Sequence, residues 1–195
     1  MTTKNAHDLI LRIARAFVAH PDSLYLTRQE GEDGCIYWAL TCHPEDEPKL
    51  IGSHGSHAAA LRFIVTQFGR ADGVAWTFRA ITPTNGFNNE RAPQVVAEAY
   101  DPTEVKNMLM EILCQFEIGG FDVRVDADEG RRTLLAYRFV ITLENPTDYA
   151  ALTAERKFKH GEGETMSIKE ALNTLYRAMA KVAGVRFKIV VEEPK

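Results

Sequence analysis

The sequence has little cysteine, no long apolar run and no excess of positive charge, and each absence excludes a class of protein. Three cysteines among 195 residues are too few for the disulfide framework of a small secreted domain. Arg12 and Arg15 interrupt the apolar positions near the N-terminus, which argues against a signal peptide. No stretch reaches the roughly 18 continuous apolar residues of a membrane helix. We therefore expect a reduced, cytoplasmic protein.

The charge balance limits the ligands that the protein can bind. The net charge is −4, whereas proteins that bind nucleic acid over a wide surface are usually basic. A strong, non-specific nucleic-acid binder is thereby disfavoured, but a small local site remains compatible with this charge. The sequence also lacks a nucleophile elbow, a Walker loop and a dinucleotide-binding motif. We therefore expect no enzymatic activity and no cofactor.

Hydrophobic periodicity predicts an alternation of helices and strands in the first half of the chain. The predicted elements are a helix over 6–19, strands over 24–27 and 35–42, a short helix within 43–51, a helix over 56–69 and a strand over 74–81. Two adjacent strands joined by a short polar turn indicate an antiparallel pair.

The second half repeats this order. Its predicted elements are a helix over 103–116, strands over 121–125 and 133–143, a polar connection over 144–165, a helix over 166–183 and a strand over 185–191. Ala60-Leu61 falls on Ala171-Leu172, and Gly73-Val74 falls on Gly184-Val185 at the same offset. An internal duplication is the simplest account of this match.

The segment that joins the short predicted helix within 43–51 to the predicted helix over 56–69 carries a recognisable motif. Leu50 and Ile51 precede Gly52-Ser53-His54-Gly55, and an alanine-rich amphipathic helix follows. An aliphatic pair, a GxxG loop and such a helix, placed after two strands, resemble the KH-domain RNA-binding family in the form of the small bacterial KH proteins. The resemblance is clearest over residues 6–81.

The resemblance implies an α+β fold of two tandem KH-like units. Each unit would run helix-strand-strand-(short helix)-helix-strand, with its helices packed on one face of a three-stranded sheet. We expect a KH-like domain with the GxxG loop over 1–81, a linker over 82–102 that holds three prolines, and a second, degenerate KH-like domain over 103–195.

The resemblance also implies a site for single-stranded RNA at the loop. Glycines let a sugar-phosphate strand approach the main chain, the following helix directs its free N–H groups at phosphates, and KH loops clamp about four nucleotides. The implied contacts are Lys49, Ile51, Gly52, Ser53, His54, Gly55, Ser56, His57 and Arg62, and the implied apolar floor is Leu50, Ile51, Ala58 and Ala59.

The loop departs from the family at its two middle positions, which usually include a lysine or arginine. Here they are Ser53 and His54. Because histidine is only partly charged at neutral pH, we expect weak RNA binding, or binding that strengthens as the pH falls.

The second unit departs further from the motif. Gly163-Glu164-Thr165-Met166 stands where the first unit has its GxxG loop, so a glycine is lost and an acid that repels phosphate is gained. The basic run before it offers Lys157, Lys159 and His160 as a candidate secondary RNA contact. A solvated loop anchored by Phe158 is the favoured interpretation of that run.

The remaining cysteine, histidine and tryptophan side chains predict no further site. Cys42, His43, His54 and His57 do not have the spacing of a zinc site, so we expect no metal. Cys114, Trp38 and Trp76 are expected in the core.

RNA binding has one alternative from another class of function. A KH-like scaffold for protein–protein contact or homodimerisation, with RNA binding weakened or lost, would also explain the acidic balance and the uncharged loop. RNA binding would depend on the loop and fall steeply with salt, whereas a protein contact would tolerate charge reversal there.

Overall fold

The computed structural model describes residues 3–83, 101–116, 118–128, 135–157 and 165–194. Internal contacts divide the chain into two compact units, Met1–Glu98 and Ala99–Lys195. Most of the expected linker over 82–102 lies outside the described residues, so the proposed domain limits stay a prediction. None of the described helices is long and apolar enough to cross a membrane.

The first unit is a three-stranded sheet with helices in the predicted order. Its elements are α1 (Thr3–Arg15), a 3-10 turn (Pro21–Ser23), β1 (Tyr25–Glu30), β2 (Ile36–Cys42), α2 (Glu47–Ile51), a second 3-10 turn (Ser53–Gly55), α3 (Ser56–Ala71) and β3 (Trp76–Pro83). The strand order is β1-β2-β3, with β2 antiparallel to β1 and parallel to β3. A parallel pair needs a crossover connection, which here contains α2 and α3.

Helix α1 ends earlier than the sequence indicates. The predicted inward positions Ile10, Ile13 and Phe17 are all buried, but the helix stops at Arg15. The backbone N–H groups of Ala19 and His20 donate instead to the carboxylate of a residue remote in sequence, Asp46. A tertiary contact therefore replaces the last turn that the apolar periodicity predicted.

The core of the first unit lies between the helices and one face of the sheet. Every second residue of β2 is buried, as expected for a strand with one covered face. Trp38 and Trp76 are both buried, with ring centroids 5.4 Å apart. Both tryptophans therefore serve packing, as predicted.

The second unit repeats the topology of the first. Its elements are α4 (Pro102–Gln115), β4 (Phe121–Asp128), β5 (Ala136–Leu143), α5 (Pro146–Thr153), β6 (Arg156–Lys157), β7 (Thr165–Met166), α6 (Ile168–Ala183) and β8 (Arg186–Glu192). The order β4-β5-β8 again combines an antiparallel and a parallel pair. Phe139 and Phe187 take the place of the tryptophan pair, with centroids also 5.4 Å apart. The expected α+β fold of two tandem KH-like units is confirmed.

Two details of the second unit were predicted wrongly. The polar connection over 144–165 contains α5 and the short antiparallel pair β6–β7; α5 buries only Leu152 among its residues, so it lacks an amphipathic signal. Cys114 is exposed rather than in the core. Leu109, Ile112 and Leu113 form the buried stripe of α4, and the next residue is rotated about 100° around the helix.

Candidate functional site

The turn between α2 and α3 has a backbone that few residues can adopt. Gly52 has φ 74° and ψ 175°, and Gly55 has φ 77° and ψ 13°. Between them His54 has φ 53°, and it is the one non-glycine residue with positive φ in the described part of the chain. Such conformations are rare and persist where the surrounding structure holds them, often at functional sites. The sequence Gly-Ser-His-Gly therefore forms a tight turn with positive φ at three of its four residues.

The side chain of His57 packs against the loop at Gly52. A Cβ added to Gly52 would lie 2.6 Å from Cγ of His57, so the glycine is needed for the close approach of the ring. The His57 Nδ1–H donates to the carbonyl of Lys49 at 2.6 Å, and the ring meets Phe17 edge-on at 5.8 Å. His57, predicted as an RNA contact, thus supports the loop by a hydrogen bond between α3 and α2.

Helix α3 begins at Ser56, immediately after the loop. Gly55 is its N-cap, and no side chain of the described residues caps it. Helix α6 of the second unit is different, because Ser167 accepts from the N–H of Glu170 and Glu170 accepts from the N–H of Ser167. This capping box satisfies helix N–H groups that would otherwise be available to an anion. The two units therefore differ at the N-terminus of this helix, which is uncapped by side chains in α3 and capped in α6.

All of the predicted RNA contacts in and around the loop are exposed or half-buried. Ser53 and His54 are exposed, and the predicted site residues Ile51, Gly52, Gly55 and Ser56 are half-buried. Ala58 and Ala59 are half-buried too, whereas Leu50 is completely buried. Leu50 therefore belongs to the core and not to the apolar floor that was expected to include it.

Two predicted cations have partners in the protein. The ammonium of Lys49 lies 2.7 Å from Oδ1 of Asp46, and its side chain stays 43% exposed. Arg62 donates from Nε to the carbonyl of Phe78 at 3.2 Å. The loop therefore carries little free positive charge, in agreement with its sequence.

Asp46 organises the region beneath the loop, and sequence reasoning missed it. Its buried carboxylate accepts from the N–H groups of Ala19 and His20, from Nδ1 of His20 and from Nζ of Lys49. Burial alone would raise the pKa of Asp46, but the hydrogen bonds from Lys49, Ala19 and His20 lower it below its ordinary value. In the sequence this residue stands within an acidic run typical of a helix start, which gives no signal of its contact with the end of α1.

Most of the candidate secondary contact lies outside the part of the chain that the structure describes. Lys159 and His160 lie outside the described residues, as do Gly163 and Glu164 of the degenerate loop. Lys157 is in β6, paired with Thr165 of β7.

Comparisons with known proteins match the unit that carries the loop. The family model described as "KhpA/KhpB, KH domain" matches residues 7–78. RNA-binding protein KhpA of Bacillus subtilis is 38% identical over 65 residues, covering 33% of this chain and 79% of that protein. RNA-binding protein KhpA of Halalkalibacterium halodurans is 41% identical over 58 residues, covering 29% of this chain and 74% of that protein. RNA-binding protein KhpA of Treponema pallidum is 35% identical over 74 residues, covering 38% of this chain and 91% of that protein.

Proposed function

The chain belongs to the KH-domain RNA-binding family of KhpA and KhpB, and from this premise we propose that its first unit binds single-stranded RNA through Gly52-Ser53-His54-Gly55. The observation that carries the proposal is the N-terminus of α3, which no side chain caps and which follows a loop with positive φ at Gly52, His54 and Gly55.

The phosphates would lie over the loop. The N–H groups at the start of α3 and the positive end of the helix dipole attract negative charge. The exposed Ser53 hydroxyl donates a hydrogen bond to a phosphate oxygen, and the exposed His54 ring adds charge when it is protonated. The half-buried Ile51, Ala58 and Ala59 leave an apolar surface with small side chains for the bases.

Binding would be weak and responsive to conditions. Lys49 shares its charge with Asp46, so phosphate attraction depends mainly on the helix dipole and on His54. Since phosphate contacts release counterions, we expect the affinity for RNA to fall steeply as the salt concentration rises.

The proposal extends to the rest of the chain. The second unit, over 103–195, would support or extend the surface without a working GxxG loop, because the box formed by Ser167 and Glu170 caps α6. The segment over 82–102 would join it to a first domain over 1–81. The protein would act in the cytoplasm without a catalytic step.

The test is binding of fluorescent random single-stranded RNA, followed by anisotropy at low salt. The variant Ser53→Asp/His54→Asp adds two negative charges to the loop. The matched control Thr147→Asp/Ala150→Asp adds the same charge at exposed positions of α5. We expect the native chain and the control to bind, the loop variant to lose binding, and the native affinity to fall steeply with salt.

Equal binding by the loop variant and the native chain would refute the loop as the RNA site. If the native chain does not bind RNA at low salt, the proposal fails and the alternative gains support, namely a KH-like scaffold for a protein partner or a homodimer.

A further inference from the structure

Three side chains that commonly bind metal ions meet beside the start of α2. His20 follows α1, and His43 and Glu45 follow β2, so the fold joins residues from two distant parts of the sequence. One ligand atom of each residue lies within 4.8 Å of the other two. Of these three residues, only His43 belongs to the group Cys42, His43, His54 and His57, whose spacing predicts no zinc site.

His20 is oriented by a buried carboxylate. Its Nδ1–H donates to Oδ2 of Asp46 at 2.9 Å, and the side chain of Asp46 is 0% exposed. Because Nδ1 carries the proton in this hydrogen bond, the neutral ring presents a lone pair at Nε2. A histidine held by a carboxylate through one nitrogen is the usual arrangement of a metal ligand, whose other nitrogen binds the ion.

The Nε2 atom of His20 has no partner that would explain its burial. It is buried and makes no hydrogen bond with any described residue. A buried polar atom left without a partner is destabilising, so native proteins rarely retain one without a ligand, a water or a function. The unpartnered atom lies on the side of the ring that faces Glu45, at 3.9 Å from Oε2.

The other two residues can approach this atom. Glu45 has a side chain that is 62% exposed, so its carboxylate is free to rotate. The His43 ring stacks on that of His20 with centroids 3.8 Å apart, and its Nδ1 accepts from the N–H of Glu45 at 3.3 Å. Zinc–ligand distances of about 2.0–2.1 Å place tetrahedral ligand atoms roughly 3.4 Å apart. Binding would therefore draw the carboxylate inward and turn the His43 ring out of the stack.

We propose that His20, His43 and Glu45 bind a divalent transition-metal ion, most favourably Zn²⁺, and that Asp46 is the positioning residue for His20. Two imidazoles and one carboxylate are a common zinc ligand set, which leaves a fourth position for water. The neighbouring loop Gly52–Gly55 contributes no ligand. The metal site is therefore separate from the proposed RNA site, and the two can fail independently.

The test is zinc binding by the full, tag-free chain in competition with a chromogenic chelator, without RNA. We expect about one ion per chain and a visible absorption band when Co²⁺ replaces zinc, as for a tetrahedral site. Glu45→Gln should weaken binding by at least about tenfold, as the loss of metal-site residues does. Because Glu45 is exposed, this change should leave the fold intact. His20→Gln should weaken binding at least as much, and His54→Ala, which changes a nearby exposed histidine, should not.

The proposal is overturned if the native chain takes up no zinc, or if Glu45→Gln and His20→Gln bind as tightly as the native chain. It is equally overturned if His54→Ala weakens binding as much as they do, because the ion would then bind elsewhere.

Discussion

Replacing Asp46 should cost more stability than replacing the acid beside it. Asp46→Ala removes the acceptor of Ala19 N–H at 2.9 Å, His20 N–H at 2.8 Å and His20 Nδ1–H at 2.9 Å, all partly buried. Each buried donor left without a partner costs about 1–3 kcal/mol. The ion pair with the exposed Lys49 adds only about 0–1 kcal/mol. Because water can reach some of these donors, we expect a total loss of about 3–5 kcal/mol, as for a broken buried pair.

The assay is urea unfolding followed by tryptophan fluorescence, with a chelator present so that metal ions do not contribute. The sequence contains two tryptophans, and Trp38 and Trp76 both lie in the first unit, so the signal reports on that unit alone. Glu45→Ala is the matched control, since this exposed neighbour should change stability by no more than about 0.5 kcal/mol. A loss below about 1 kcal/mol for Asp46→Ala would show that the network does not hold α1 to the start of α2.

Three further predictions concern the loop, the second unit and the cysteines. Gly52→Ala should destabilise the first unit by about 1–3 kcal/mol, because an alanine is strained at this positive φ and its Cβ would clash with His57. An unchanged unfolding midpoint would contradict this. Ser167→Ala should lower the stability of the second unit by about 0.5–2 kcal/mol, measurable by circular dichroism, without affecting the tryptophan signal. Iodoacetamide near neutral pH should modify the exposed Cys114 much faster than Cys42, since burial and then the charges of Glu47 and Asp46 raise the pKa of Cys42 to about 11; equal rates by mass spectrometry would refute this.

Most of the fold could be predicted because it follows from local patterns. The alternation in β2 and the apolar stripes of α3 and α6 mark which face of each element is buried. The repeated order of elements, with the GxxG resemblance in the first unit, then indicated two similar folds. Such signals fail where a segment buries little, and for this reason the sequence predicts only a polar connection where the structure has α5.

The candidate site was predictable only in part. The loop Gly52–Gly55 is contiguous in sequence, so its motif could be recognised before its geometry was known. The network around Asp46 joins α1 to the start of α2 through side chains from remote segments, and no spacing rule connects His20 with His43 and Glu45. Likewise, the role of His57 depends on a carbonyl at Lys49, which becomes its neighbour only after α2 and α3 have folded.

The parallel pairing of β2 with β3 has a consequence for the order of folding. β1 and β2 meet across a short turn, but Ile36 pairs with Trp76 only after the chain has passed through α2, the glycine loop and α3. Contacts between residues so far apart in sequence form slowly, since the entropy of closing the intervening chain is lost first. The strained loop lies in the chain between β2 and β3, and we expect the pairing of these two strands to be the last step in forming the sheet of the first unit. A chain still emerging from the ribosome can pair β1 with β2 first, and we expect the proposed RNA site to form only once β3 has emerged and joined the sheet.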